Sequence, residues 1–416
     1  MKESGFPQQV LQHFTIILTF TKIWDAVNDL IMGVVVDHTR TRWGKLRPYI
    51  LFTAGPIALL TILMFAIPDM KERYQLVYIA VLYILWDMAY TMCDVPYWGL
   101  TGALSSDIKE RTGLISLART TGTIALALIT LLGPQLARWL SFSDEITASG
   151  WTYAAAIISI LGMGLFTLAF FNTRERIVYN PEKTSIKQSI NTIFHNKPLI
   201  LILTGTILGF GRSIVQVGGA VVAVIVFGDE GIFTILGAAI IIGIAISTIA
   251  TPLVLKKISK KTLVIASNSI SFVVYILMYF LGYHSLITVF TMILMSGLMT
   301  GFFTVSQTAM IADSVDYIEY KTGERNEGVC FSGLTFVGKL MGAIATMVFG
   351  IAVAALGYSK GADITPFMKN GIYFTITIIP AISCLLGIIP FLFYNLSEKT
   401  LEEMMIKVLE RRNKSI

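Results

Sequence analysis

Cysteine, histidine and charge are what this chain has least of. Three cysteines and four histidines among 416 residues leave little material for a disulfide framework or a metal centre. Cys93, Cys330 and Cys384 each lie inside apolar stretches, and His13, His38, His195 and His284 show no metal-ligand spacing. Charged residues make up 14% of the chain, where a soluble globular domain carries about 25%. An ordinary water-soluble enzyme is thereby excluded. With 55% hydrophobic residues and a mean hydropathy of +0.72, the chain is also too apolar to be disordered. A membrane-embedded enzyme would need a nucleophile, metal ligands or a cofactor motif, and the sequence offers none. The start, MKESGFPQQ, lacks the basic-then-apolar order of a cleavable signal peptide.

What is present is a succession of apolar runs of about 20 residues between short polar breaks, the pattern of a multi-span helical membrane protein. Eleven spans are predicted, at 9–37, 48–68, 76–104, 110–137, 151–172, 197–227, 231–255, 262–282, 286–313, 328–357 and 370–394. Breaks on one side, with the C-terminal tail, hold 22 of the 32 Lys and Arg residues, and the other side holds six. The positive-inside rule makes the first side cytoplasmic. The net charge of +6 is therefore topology and not a nucleic-acid signal. The predicted organisation is an N-terminal half 1–172, a basic cytoplasmic linker 173–196, a C-terminal half 197–394 and a cytoplasmic tail 395–416. Basic turns in both halves, VVVDHTRTRWGKLRP and TPLVLKKISKKTLV, are a modest echo of the parallel repeats in major facilitator transporters.

The remaining four basic residues, Lys22, Arg119, Arg212 and Lys339, fall within spans, as do Asp25, Asp29, Asp87 and Asp94, with Asp313 near a span end. Each such group costs about 2.5–3.5 kcal/mol at the bilayer centre, so together they demand a shared polar interior. Asp25 and Asp29 are i,i+4 on one helix face, about 6 Å apart along the axis, with Asn28 between them. By rise per residue, Asp25, Asp94 and Asp29 lie about 3, 6 and 9 Å to the cytoplasmic side of the centre. Arg119 and Lys339 lie about 7 and 5 Å to that same side. This shared slab suggests a hydrated cavity in which the carboxylates, Asn28 and the Thr91 hydroxyl offer hard oxygen ligands to Na⁺, Li⁺ or H⁺. Asp25 and Asp29 are the metal ligands if the ion is Na⁺. Arg119 and Lys339 would hold the carboxylates when the cation is away. The bland alternative is a set of buried ion pairs that only orient helices. Trp98, one turn after Asp94, could stack on a sugar ring or serve as a core tryptophan. Lys22 could pair with the acidic face or snorkel, and Arg212 could line the cavity or pack between helices. Asp87, seven residues before Asp94, shares its face and is placed toward the outer cavity.

These residues carry a family resemblance. KIWDAVNDLIMGVVVDHTRTRWGKLRPYILF at 22–52, YTMCDVPYWGL at 90–100 and IADSVDYIEYKTGERNEG at 311–328 resemble the glycoside–pentoside–hexuronide:cation symporters, the melibiose permease-like family of the major facilitator superfamily. The resemblance runs over nearly the whole chain. It implies that Asp25, Asn28, Asp29 and Thr91 form the cation site, that Asp94, Trp98 and Arg119 contact sugar, and that Lys339 neighbours and couples both. Members have twelve spans, the first with an acidic residue and a neighbouring lysine that contact sugar. Met1 falls about where the first extracellular loop should be, so that helix is expected upstream, within about 30–40 further residues.

The expected fold is thus an all-α membrane protein of the major facilitator type, two pseudo-symmetric helical halves around a central cavity, with eleven of twelve spans present. The expected function is sugar symport with Na⁺, Li⁺ or H⁺ by alternating access, with no other cofactor. A non-transporting sugar sensor or an inactive truncated transporter is the rival reading. Asp37, Arg40, Arg42, Lys45 and Arg47, with Asp313, Asp316, Glu319 and Arg325, are expected to form the charge pairs of an inner gate. The partners expected are a small sugar, a monovalent cation and the lipid bilayer, with no nucleic acid. A monomer in the inner cell membrane, with its C-terminus in the cytoplasm, completes the expectation.

Overall fold

The computed structural model describes residues 28–29, 31–105, 107–143, 146–175, 194–229, 231–323, 325–357 and 364–414. Among them the regular structure is helical, with one isolated bridge between Thr41 and Gly44. Ten helices among the described residues are long and apolar enough to cross a membrane. In chain order the helices are α1 (Arg47–Phe65), α2 (Glu72–Ala103), α3 (Ile108–Trp139) and α4 (Ala148–Asn172). They continue with α5 (Lys197–Leu208), α6 (Gly211–Val222), α7 (Gly231–Val254), α8 (Lys260–Leu281) and α9 (Leu286–Thr322). The last are α10 (Glu327–Ala355), α11 (Pro366–Leu392) and α12 (Glu398–Lys414). Ten of the predicted spans match these helices. The predicted span 9–37 lies mostly outside the described residues, of which 28–29 and 31–38 are helical.

Two departures from the expected spans have physical causes. The span predicted to stop at 313 continues to Thr322, ending only where Gly323 takes φ +78° and donates its N–H to Glu319 O. Its last acids do not end the helix because each has a cationic partner, as described below. The span Lys197–Phe227 is not one continuous α-helix: it breaks after Leu208 and closes in a π-helical turn, Ala223–Phe227. Ser383 of α11 repairs the break. Its Oγ accepts the Gly211 N–H at 2.8 Å and donates to Leu208 O at 2.6 Å, so backbone groups freed inside the membrane find partners.

The described residues divide into two compact units, one within Met1–Ser106, Leu128–Ile186 and Glu327–Phe336, the other within Asp107–Ala127, Lys187–Asn326 and Val337–Ile416. In the first, α1 packs along α4 and α2 over a core of Met32, Val36, Leu46, Ile50, Leu100 and Phe170. In the second, α9 packs along α7 and α8, and α11 along α8, α5 and α6, around Ile214, Val222, Tyr275, Ile293, Phe349 and Ile376. Large apolar side chains such as Leu165, Phe280 and Ile351 are exposed, as a surface facing lipid tails requires. The tail helix α12 is amphipathic instead. It buries Leu401, Met405 and Val408, spaced four and three apart, and packs on α9.

Candidate functional site

In the first unit several predicted residues meet at α2. Asn28, Asp29 and Thr91 are all buried, and the Thr91 hydroxyl donates to Asp29 Oδ1 at 3.0 Å. A hydrogen bond to an ionised carboxylate is worth about twice a neutral one. One turn along α2, the Trp98 indole N–H donates to Asp94 Oδ1 at 3.1 Å, and Tyr97 meets the Trp98 ring edge-on with centroids 5.2 Å apart. Both side chains are half-buried. Thr91 and Asp94 are three residues apart, so a hard-oxygen cluster and a carboxylate–indole pair occupy adjacent turns of one helix. Asp87, a turn before Thr91, is also buried. Asp25 and Lys22 lie outside the described residues. Among those described, no cluster of three or more His, Cys, Asp or Glu side chains is spaced to hold a metal ion.

Arg119 and Lys339 fall in the second unit. Arg119 Nη2 donates to the Thr308 hydroxyl of α9 at 2.9 Å, and Lys339 is half-buried on α10. Arg212 is buried in that unit as a packing group. Its guanidinium donates to Asn268 Oδ1 and lies 3.7 Å from the centroid of the Phe303 ring.

The charges expected at the gate separate into two clusters. In the first unit, Lys45 Nζ lies 3.2 Å from Asp37 Oδ1 and 3.0 Å from Glu327 Oε2. Asp37 also accepts the N–H groups of Gly328 and Val329 at 2.9 and 2.8 Å, so its carboxylate sits on the positive end of α10. The close approach needs two glycines. A Cβ on Gly33 would strike Ser332 and the Gly328 carbonyl, and one on Gly328 would strike the Gly33 carbonyl. In the second unit, Asp313, Asp316 and Glu319 recur every third residue on one face of α9. Arg111 bridges Asp313 and Asp316 at 2.6 Å each, Arg325 bridges Asp316 and Glu319 at 2.7 Å each, and Lys260 holds Asp313 at 2.6 Å. Tyr394, beyond the last span, is buried, and that burial, reinforced by the Asp313 charge, raises its phenol above the usual range.

The other predicted gate residues do different things. Arg42 lies 4.6 Å over the Trp43 ring, and Arg40 is exposed. Arg47 donates to Phe170 O at 2.5 Å and lies 4.7 Å over the Phe170 ring. Sequence reasoning places Arg111 and Lys260 only among basic loop residues and does not single out Glu327 or Glu175. The triplet spacing of the three acids on α9 is the available signal that cations must converge there. For Glu175, no local signal exists.

The chain matches the family described as MFS/sugar transport protein over residues 10–398. It belongs to that family. The chain is 29% identical over 395 residues to the inner membrane symporter YicJ of Escherichia coli (strain K12), covering 94% of this chain and 85% of that relative. It is 29% identical over 406 residues to the isoprimeverose transporter of Lactiplantibacillus pentosus, covering 94% and 82%. Among solved structures, the Escherichia coli fucose:proton symporter superposes with a TM-score of 0.68 at 11% identity, over 94% of this chain and 92% of that one. The proton:xylose symporter XylE does so with 0.60 at 13%, over 94% and 89%. These structural likenesses speak for the fold. The chain is a multi-pass membrane protein with the major facilitator fold, and its relatives are transporters, not enzymes.

Proposed function

We propose that this protein is a secondary active symporter that moves a small sugar together with Na⁺, Li⁺ or H⁺ by alternating access. The family match and the symporter and transporter relatives support the reaction class. The observation that carries the site is the sharing of α2 between Thr91, hydrogen-bonded to Asp29, and Asp94, hydrogen-bonded to Trp98. In this reading Asp25, Asn28, Asp29 and Thr91 hold the cation, and Asp94, Trp98 and Arg119 hold the sugar. Lys339 neighbours both. A cation that draws Asp29 and Thr91 together stiffens the turn of α2 that also presents Asp94. Each solute then raises the affinity for the other by the same factor. Sugar hydroxyls suit a carboxylate that accepts and an arginine that donates, and the Trp98 face suits the apolar side of a pyranose. The clusters around Asp37–Lys45–Glu327 and around Arg111 act as the inner gate. The protein works as a monomer in the inner membrane with its C-terminus in the cytoplasm.

Uptake of labelled sugars into vesicles, with and without an imposed Na⁺ or H⁺ gradient, tests the proposal. Asp29→Asn should abolish gradient-driven accumulation while sugar binding persists. Asp94→Asn should weaken sugar binding itself. Undiminished gradient-stimulated uptake by Asp29→Asn would reject the cation site, and unchanged sugar affinity in Asp94→Asn would reject the sugar site.

A further inference from the structure

Helix α1 starts without a cap of its own. Leu46 stands at the N-cap position, no side chain there bonds the first N–H groups, and the first turn holds no acid. Helix N-termini normally satisfy those donors with a nearby Ser, Thr, Asp or Asn. Here the acceptor comes from about 130 residues away. Glu175, just past α4, takes the Leu46 and Arg47 N–H groups on Oε1 at 2.8 and 3.0 Å, and the Lys45 N–H on Oε2 at 3.0 Å. The exchange is reciprocal, because Arg47 at the start of α1 donates to Phe170 O near the end of α4. Each helix end thus receives the charge its dipole favours. Gly44 shapes the cradle. It has φ +107°, and a Cβ there would collide with the Glu175 carboxylate.

The first residue of that cradle is the gate lysine. Its backbone N–H is fixed by Glu175 while its ammonium reaches Asp37 and Glu327. Lysine has a flexible four-carbon stem, so holding its Cα narrows the range over which the ammonium sits between two carboxylates. We infer that Glu175 is a positioning residue for the inner gate, setting Lys45 so that it closes Asp37 onto the start of α10. Glu175 touches neither Asp94 nor Asp29, so it acts on the gate's rate and equilibrium and not on sugar affinity. Residues 45–47, Glu175 and the start of α10 fall in one compact unit. There the cap is three backbone N–H groups on one carboxylate, while Lys45 meets Asp37 and Glu327 through side-chain ion pairs. In the proposed cycle the cap persists while the ion pairs and the Asp37–Gly328 contact break and re-form. This inference rests on the transport reading above, but its test has a readout of its own.

Cys330 supplies that readout. It lies two residues after Gly328 and is buried, so a maleimide reaches it when the contacts at the start of α10 open. In membrane vesicles holding the full chain, the alkylation rate of Cys330 is followed by mass spectrometry of its peptide, alongside initial uptake rates at varied sugar concentration. Glu175→Ala should raise the Cys330 alkylation rate severalfold and lower the maximal uptake rate severalfold, with KM unchanged. Glu175→Gln, which keeps one carbonyl acceptor and nearly the same shape, should fall between wild type and Glu175→Ala, and it carries the test if the alanine variant does not fold. Cys330 alkylation at the wild-type rate in the folded variant would overturn the inference, whether or not uptake falls, because a merely structural cap lowers the amount of protein without changing this rate. If no tested sugar is taken up by the wild type, the alkylation arm still decides the role of Glu175, and only the transport reading fails.

Discussion

The two charge clusters use the same residue types under different physical conditions. Around Lys45, a point-like ammonium with a side chain 19% exposed is shared by two carboxylates, and two backbone N–H groups complete the shell of Asp37. Around Arg111, whose side chain is 1% exposed, two guanidinium groups and Lys260 are interleaved with three carboxylates, every partner at 2.6–2.7 Å. Arginine meets two carboxylates through a rigid fork, whereas lysine holds its partners as a hydrated charge that lets go easily. Burial also changes the cost of failure. The partly exposed Lys45 ammonium regains water when it parts, although Asp37 and Glu327 are themselves 3% and 0% exposed. A network buried at every member instead leaves uncompensated charge when one is lost. Within the proposed gate, the Lys45 cluster is thus the one suited to part readily, and the Arg111 cluster the one that holds its partners on α9 most tightly.

Removing the central cation of the buried cluster should give the largest effect. Arg111→Gln leaves Asp313 and Asp316 each short of a charged partner, a loss of about 3–5 kcal/mol. The thermal midpoint of the detergent-solubilised protein should drop steeply, with aggregation on a sizing column. An unchanged midpoint would show that the cluster is not locked and would erase the contrast. Asp37→Asn comes next. It keeps the shape but loses the charge in bonds to Lys45 and to the start of α10, where hydrogen bonds to an ionised group are worth about 1.5–3 kcal/mol. Most of that should appear as faster Cys330 alkylation, with a far smaller midpoint shift than Arg111→Gln. A midpoint loss equal to that of Arg111→Gln, without faster alkylation, would place Asp37 among the structural charges. Arg42→Ala should be smallest, within about 0.5 kcal/mol, since an exposed guanidinium over Trp43 is all that is removed. A strong transport defect in that variant would return Arg42 to the gate proper.

The chemistry of α2 is legible in the amino-acid sequence itself. The spacing of Thr91, Asp94 and Trp98 at helical intervals puts them along one face, and that is a local property of the chain. The pairing of Thr91 with Asp29, 62 residues apart, is not readable there: the sequence offers both as oxygen ligands but does not bring them together. Arg212 shows the opposite case. Its place in a span allows either a cavity or a packing role, and only the position of Asn268 and Phe303 decides for packing.

Sequence alone determined ten of the spans, the uneven share of basic residues among the loops, and which acids stand inside apolar runs. All three depend on run lengths, local charge and the 1.5 Å rise, which neighbours in the chain set by themselves. Tertiary structure decided which charge meets which. Arg111 finds Asp313 and Asp316 across more than 200 residues, Asp37 finds the start of α10 across nearly 300, and Glu175 finds α1 across about 130. A carboxylate can accept from any arginine, lysine or helix N-terminus, so its type names no partner. Only the packing of helices, including the glycine contact between Gly33 and Gly328, brings one donor within reach and leaves the others too far.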